Sequence, residues 1–571
     1  MRTQILRNTL LAATTLAGGL AGIPAAHAQD ATNAQINSIE RQIHALQGQL
    51  QHMRQQLQSR DQEVKAAQQQ AAEAKAQAAA VEARIPIGLS APLPPGQVPP
   101  GMVGPTTPVM TGPPLPRGAF QVGPVTVSLG GSFVELAGIF RDRNEAADIS
   151  STFSGIPLPN SPNYYENEFR GSARQSRLAL TLEGHPDDDS TLKAYYEMDF
   201  QSAAPTANSN QSNSYNLRIR QIYGAYDNKA WGLHVLAGQA WSMLTPLTQG
   251  IIPGKENAPP TIDAQYMPGF FWARQPQVRV VKDFDQQRLW VGLSLENPQT
   301  TWNTSGYTTT GGNSALLPDG FNAQITTPGA GVNSSTVNYS DNLAPDVILK
   351  AAWDPGWGHY EAFGIARFLT DRVDTIGWGT SNTVLAGGGG VSMTLPIIGK
   401  KLNFTANFLG GTGIGRYGSG GLPDATLKPD GTPAPIPEIM AWGGLIGYPM
   451  PKLQVYGLIG TEQESRTSFN EIVKGKNTGF GYGSVLYSNA GCDVELSPLT
   501  CTGNTSGLTQ GTVGAYYKVL TGNFGTAQIG AQYSYTRRSI FQGTSATPGV
   551  SVSPYSNEQM VLVNFRYYPF Q

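Results

Sequence analysis

Arginines show the clearest chemical pattern in this sequence. Arg177, Arg218, Arg220, Arg279 and Arg566 fall, with Lys193 and Lys350, on the polar faces of segments that alternate polar and apolar residues, and Arg274 closes a long Pro-rich segment, 241–275. Guanidinium forks bind carboxylate or phosphate through paired N–H donors. Rings of Arg and Lys in a narrow passage favour anions. Arg177, Arg218, Arg220, Arg274 and Arg279 are therefore the candidate solute-binding residues. In the competing reading they pair with Glu135, Glu183, Glu197 and Asp199 on the same faces and only set up a transverse field.

Other chemistry finds little support. Of six histidines, His27 lies in the leader described below, His44 and His52 in a helical repeat, and His185 and His359 in or beside turns; only His234 sits within a strand. A catalytic triad or a metal site needs a histidine converging with partners, and His234 is expected to face a lumen or an interface. Gly387–Gly390 runs into Val391 without a Gly-Lys-Ser/Thr, and Gly411-Thr412-Gly413-Ile414-Gly415 opens no helix, so neither is a phosphate or dinucleotide loop. No enzyme activity, cofactor or metal is expected. Cys492 and Cys501, in a stretch that reads as loop, are expected to form a disulfide in an oxidising compartment.

The elements that position the arginines have a period of two. Leu178, Leu180 and Leu182 alternate with Arg177, Thr181 and Glu183; Leu402, Phe404, Ala406 and Phe408 alternate with Lys401, Asn403, Thr405 and Asn407. One apolar and one polar face on strands of about ten residues suits a membrane barrel, lipid outside and water within. Sixteen strands are expected between 132–141 and 558–568, with fourteen to eighteen as the range; two of them, 359–369 and 438–448, alternate poorly. Short turns (185–189, 227–231, 283–287, 354–358, 397–399, 449–451, 520–524) separate long Gly/Ser/Thr/Pro/Asn-rich segments (142–171, 241–275, 296–345, 411–437, 461–510). That is the pattern of periplasmic turns and external loops. Segment 241–275, with Ile251-Ile252-Pro253 and Gly269-Phe270-Phe271-Trp272, is too apolar to stand in water and is expected to fold into the lumen or against a neighbouring subunit.

The N-terminal part differs in kind. Arg2 and Arg7 precede an apolar run, Leu10–Ile23, and Ala26-His27-Ala28 offers a cleavage site, so 1–28 reads as a signal peptide. Residues 29–84 hold a 3-4 apolar repeat from Ile36 to Val81, a periplasmic coiled coil with peptidoglycan as a candidate partner. Eleven prolines between Pro86 and Pro116 make 85–119 an extended linker, and 120–571 forms the barrel. Net charge is −2; removing the two arginines of the leader leaves −2 − 2 = −4, which gives no reason to expect a nucleic-acid partner. Mean hydropathy is −0.24 with 14% charged residues, a mixture a membrane barrel and a soluble all-β protein share.

Several motifs together resemble the DcaP-like trimeric outer-membrane porins: Gly131-Ser132-Phe133-Val134-Glu135-Leu136, Ser172-Ala173-Arg174-Gln175-Ser176-Arg177-Leu178, Gly238-Gln239-Ala240-Trp241-Ser242 and Arg274-Gln275-Pro276-Gln277-Val278-Arg279, with the coil and spacer before them. The resemblance spans nearly the whole mature chain; the phosphate-selective porins are its nearest rival. It implies an all-β transmembrane barrel of sixteen antiparallel strands, a homotrimer in the bacterial outer membrane, and passive uptake of small anions such as dicarboxylates. Arg177, Arg274 and Arg279 carry over by motif; Arg218 and Arg220 rest on strand parity. The acidic balance departs from a strongly basic pore and keeps neutral solutes open, as are a general diffusion porin and a mainly structural, envelope-anchoring barrel.

Overall fold

The computed structural model describes residues 115–202, 213–310, 313–326, 339–399 and 401–571; the expected signal peptide, coiled coil and most of the linker lie outside the described residues. The alternating segments form sixteen long strands: β1 (Val134–Arg141), β2 (Arg177–Gly184), β3 (Ser190–Ser202), β4 (Asn216–Asn228), β5 (Leu233–Trp241), β6 (Arg274–Phe284), β7 (Leu289–Glu296), β8 (Asp346–Trp353), β9 (His359–Thr375), β10 (Trp378–Ile398), β11 (Leu402–Thr412), β12 (Pro437–Met450), β13 (Leu453–Glu464), β14 (Thr505–Gly522), β15 (Gly525–Ile540) and β16 (Tyr555–Tyr568).

From β2 onward each strand pairs antiparallel with the next. β16 then pairs with β1, Met560–Tyr567 against Arg141–Val134. β1 meets β2 through the Phe133–Arg177 bridge and through Glu168–Ser172, the lead-in to β2. The strand pairing thus returns to its start.

Alternation decides which side chains face inwards. Along β7, Leu289, Val291, Leu293 and Leu295 are exposed outside while Trp290, Gly292, Ser294 and Glu296 are buried inside. Along β8, Leu349 lies outside at 58% exposure and Lys350 inside at 1%. Leu178 heads the expected apolar row on the outer face, 51% exposed. A one-residue slip would exchange these faces, so the leucines and valines fix the register.

One segment departs from the expected strands. Residues 370–386 continue β9 and β10 into one long hairpin that turns at Ile376-Gly377. Asp371, Arg372 and Asp374 mix with Leu369 and Val373 there, and such mixed faces hide the period of two.

At the end of the ring with the long segments, smaller pieces add structure. Thr467–Val473 pairs with Lys476–Tyr482, and Ala425–Leu427 pairs with Trp302–Asn303 on one side and Pro433–Pro435 on the other. Cys492 and Cys501 are disulfide-bonded. Their loop is tied to the first long segment, where the Asn160 N–H donates to the Cys492 carbonyl at 3.0 Å.

Candidate functional site

Segment 241–275 runs inside the ring. Its backbone N–H groups donate to inward side chains of strands on different sides: Met243 to Glu296 on β7 (2.8 Å), Leu247 to Glu361 on β9 (2.9 Å), Gly269 to Glu462 on β13 (2.8 Å) and Ile262 to Gln532 on β15 (2.7 Å). Asn257 donates to Thr405 on β11 at 2.8 Å. The apolar residues that could not stand in water pack on apolar positions of the inner wall. Ile262, Met267 and Phe270 lie with Ile139, Trp442, Leu458, Met560 and Leu562; Met243, Leu247, Ile251 and Phe271 lie with Val281, Trp290, Ile348 and Met440. The inner wall is therefore part wet and part apolar, where the alternation alone had suggested water throughout.

Gly269 allows this path. Its φ is +89°, and a Cβ there would stand 2.1 Å from the Ala441 carbonyl oxygen. Only glycine fits that approach to β12.

A second segment, between β11 and β12, also folds inwards, which the sequence reading did not foresee. Ile414, Tyr417 and Leu422 are fully buried. The Trp272 N–H donates to the Tyr417 carbonyl (2.7 Å), and Ser419 N–H to that of Phe270 (3.1 Å). Glu462 accepts from the Gly420 N–H as well as from Gly269, so one carboxylate pins both inward segments. Arg367 on β9, fully buried, holds the base of the second segment through Asp424 (2.6 Å) and the Gly413 carbonyl. The glycines of 411–415 open this inward turn, which begins with a single 3-10 turn at Gly415–Tyr417.

The five candidate arginines do not all sit alike. Arg218 makes a two-pronged pair with Asp199, at 3.0 and 2.7 Å. Arg220 donates to Glu197 and, at 3.0 Å, to Asp199. Arg177 stands 3.6 Å from Glu197, to which the Tyr195 hydroxyl also donates at 2.8 Å. These three form one ladder with two carboxylates. Arg566 pairs with Glu135 at 3.0 Å. The pairing that the sequence raised as the competing reading is present for these residues.

Arg274 and Arg279 stand apart from that ladder. The Arg274 guanidinium lies over the Trp241 and Trp272 rings, 5.2 and 5.0 Å from their centroids, and its Nη1 is buried without a hydrogen-bond partner among the described residues. Arg279 donates to the Trp241 carbonyl at 3.0 Å, while its buried Nε has no partner among the described residues. Lys350 is committed to Glu361 (2.9 Å) and the Thr245 carbonyl (2.7 Å) and holds the inward segment.

A polar cavity of ≈ 450 Å³ opens between the arginine ladder and the inward segment. Its charged lining side chains are Arg177, Lys193, Arg220 and Arg566 against Glu197, Glu256 and Asp263, a balance of 4 − 3 = +1. The two acids on the inward segment differ from ordinary carboxylates. Burial pushes the Glu256 and Asp263 carboxyls up from their usual range, with hydrogen bonds from Gly254 and Ser151 respectively opposing it. Lys193, Glu256 and Asp263 were not among the sequence candidates. The acids carry no strand parity, and only the path of the segment brings them to the cavity.

His234 lies at the other end of the ring between Asp227 (2.6 Å) and Asp283 (2.9 Å), its ring against Trp290. Both ring nitrogens are thus engaged, and no nucleophile converges on it among these contacts.

No family model matches the chain, and no curated protein does. Among solved structures, the outer membrane channel DcaP of Acinetobacter baumannii superposes with a TM-score of 0.52 at 16% identity, covering 79% of this chain and 99% of that one. An anion-selective porin from Comamonas acidovorans covers 78% and 99% at 9% identity, but its TM-score of 0.40 supports no argument. A ring of antiparallel strands narrowed by an inward segment is a porin-type fold. Within that class, the fold is the one the DcaP channel has.

Proposed function

We propose that this chain is a bacterial outer-membrane porin whose sixteen strands span the membrane and whose lumen passes small solutes with a preference for anions. Its exposed outer rows of Leu and Val meet lipid, which supplies the hydrocarbon contact that water would not. The observation that carries the selectivity is the polar cavity. Its four cations, Arg177, Lys193, Arg220 and Arg566, stand against three carboxylates, and beside it Arg274 and Arg279 keep N–H donors without hydrogen-bond partners among the described residues. Small carboxylates, dicarboxylates among them, are the solute class, held through paired N–H donors. Arg177, Arg218 and Arg220 then work with Glu197 and Asp199 as a polarised wall, and Arg274 and Arg279 supply the unmatched positive potential.

The chain works as a homotrimer in this reading, with the 29–84 coil in the periplasm. The pairing of the ladder arginines favours a second reading, a weakly selective general diffusion porin. Reversal potentials in a salt gradient across planar bilayers separate the two. Anion preference, reduced by Arg177→Ala with Arg279→Ala, is the expected result. Cation preference or none in the unmutated protein removes the arginine mechanism.

A further inference from the structure

Beside the polar cavity lies a second one of ≈ 250 Å³, nearer the short turns, and the two share Lys193, Tyr223 and Pro253 in their walls. Its character is opposite. Tyr223, Leu236, Ile251, Val281 and Trp290, all nearly fully buried, line its inner wall, while Asp227, Lys229 and His234 line it towards the turns. Arg279 borders it, with its Nε lacking a hydrogen-bond partner, and Lys193 stands at the junction.

A solute moving past Pro253 therefore meets fixed cations on one side and a recess with an apolar, aromatic inner wall on the other. Small inorganic ions gain nothing from that recess, and a dicarboxylate would have to desolvate its second charge there. We propose that the paired cavities form a binding site for amphiphilic monocarboxylates, the carboxylate held at Arg177, Lys193 and Arg279 and a short hydrocarbon or phenyl tail lodged against Leu236, Ile251 and Trp290. This rests on the porin reading and narrows its substrate class.

The tail makes the difference measurable. Hexanoate carries four more carbons than acetate, and burying them at ~0.8 kcal/mol each sets a ceiling of about two-hundredfold in affinity; partial burial leaves about tenfold or more. The assay is block of chloride current through the full-length protein in planar bilayers by hexanoate, acetate, succinate and hexylammonium. Hexanoate half-blocks at a concentration at least about tenfold below acetate and below succinate, and hexylammonium, with a tail one carbon longer and the opposite charge, does not block in that range. Leu236→Asn and, at the half-buried tip of the inward segment, Ile252→Asn each move hexanoate towards acetate.

Equal block by hexanoate and acetate in the unmutated channel overturns the proposal, and so does equal block by hexylammonium, whether or not either variant assembles. A channel that prefers anions yet treats the two acids alike loses only this inference. One that prefers cations loses the arginine mechanism with it, and one that forms no pore loses the porin reading itself.

Discussion

Glu462→Ala should turn a steady channel into a noisy one. The Glu462 carboxylate accepts from Gly269 N–H at 2.8 Å and from Gly420 N–H at 2.9 and 3.0 Å, and it is fully buried. Alanine leaves both donors buried with no acceptor, at ~1–3 kcal/mol each, so ~2–6 kcal/mol is lost from the docking of the two inward segments. Against that stand Ile262, Met267, Phe270 and Phe271, all fully buried, at ~1.5–3 kcal/mol each or ~6–12 kcal/mol together. The apolar contacts outweigh the loss, so the first segment stays in the lumen but samples undocked states. Single-channel recording should show raised open-channel noise and a higher mean conductance, with excursions to larger openings. Glu462→Gln keeps one acceptor oxygen and should fall between. Identical traces for wild type, Gln and Ala would refute the claim that this carboxylate holds the constriction. So would a rise in Gln as large as that in Ala.

Acidification should sharpen anion preference. With Glu256 and Asp263 shifted upward by burial, lowering the pH protonates them before ordinary carboxylates, and the cavity moves from 4 − 3 = +1 towards 4 − 1 = +3. Reversal potentials at pH 7 and pH 5 check this, and an anion-to-cation ratio that falls on acidification contradicts it. Leu349→Arg, on the exposed outer face of β8, should cost up to ~2–4 kcal/mol if that face meets the membrane midplane, lowering the yield of folded, heat-modifiable barrel. Lys350, one residue on, is already a buried cation on the inner face, so no loss at all in Leu349→Arg would place the outer wall in water.

How much of this the sequence disclosed depends on whether a residue's surroundings are set by its own strand. Leu178, Leu349 and the ladder arginines were legible because a period of two sorts every strand residue into one of two environments. The inward course of 241–275 was half legible. Its apolar stretch excluded solvent, yet nothing local chose between the lumen and a neighbouring subunit. That choice was made by Glu296, Glu361 and Glu462, which lie up to 193 residues away in sequence and offer acceptors to its backbone. The second inward segment, 413–436, gave no signal of comparable strength. Its glycines and prolines read like any external loop, and it is held inside by Glu462 and Arg367 on other strands together with Phe270 and Trp272 of the first segment.

The same asymmetry explains why charge counting along the chain misjudges the passage. Glu296, Glu361 and Glu462 face inwards by parity and would cancel the arginines in any tally of the lumen. All three instead spend their oxygens on the N–H groups of the inward segments, and Glu361 also neutralises Lys350. Of the acids that line the polar cavity, Glu197 is matched by Arg220 and Arg177, while Glu256 and Asp263 are biased towards their neutral forms by burial. An acidic chain can thus hold a cavity with a small positive balance, because Glu296, Glu361 and Glu462 stand outside its lining while Arg274 and Arg279 keep donors without partners among the described residues. It follows that swapping Glu361 for Gln should disturb the path of the inward segment before it changes selectivity. Arg279→Gln should do the reverse, shifting the reversal potential towards cations while leaving open-channel noise as it was; a noisy Arg279→Gln channel would mean that the guanidinium's bond to the Trp241 carbonyl, not its charge, is what matters.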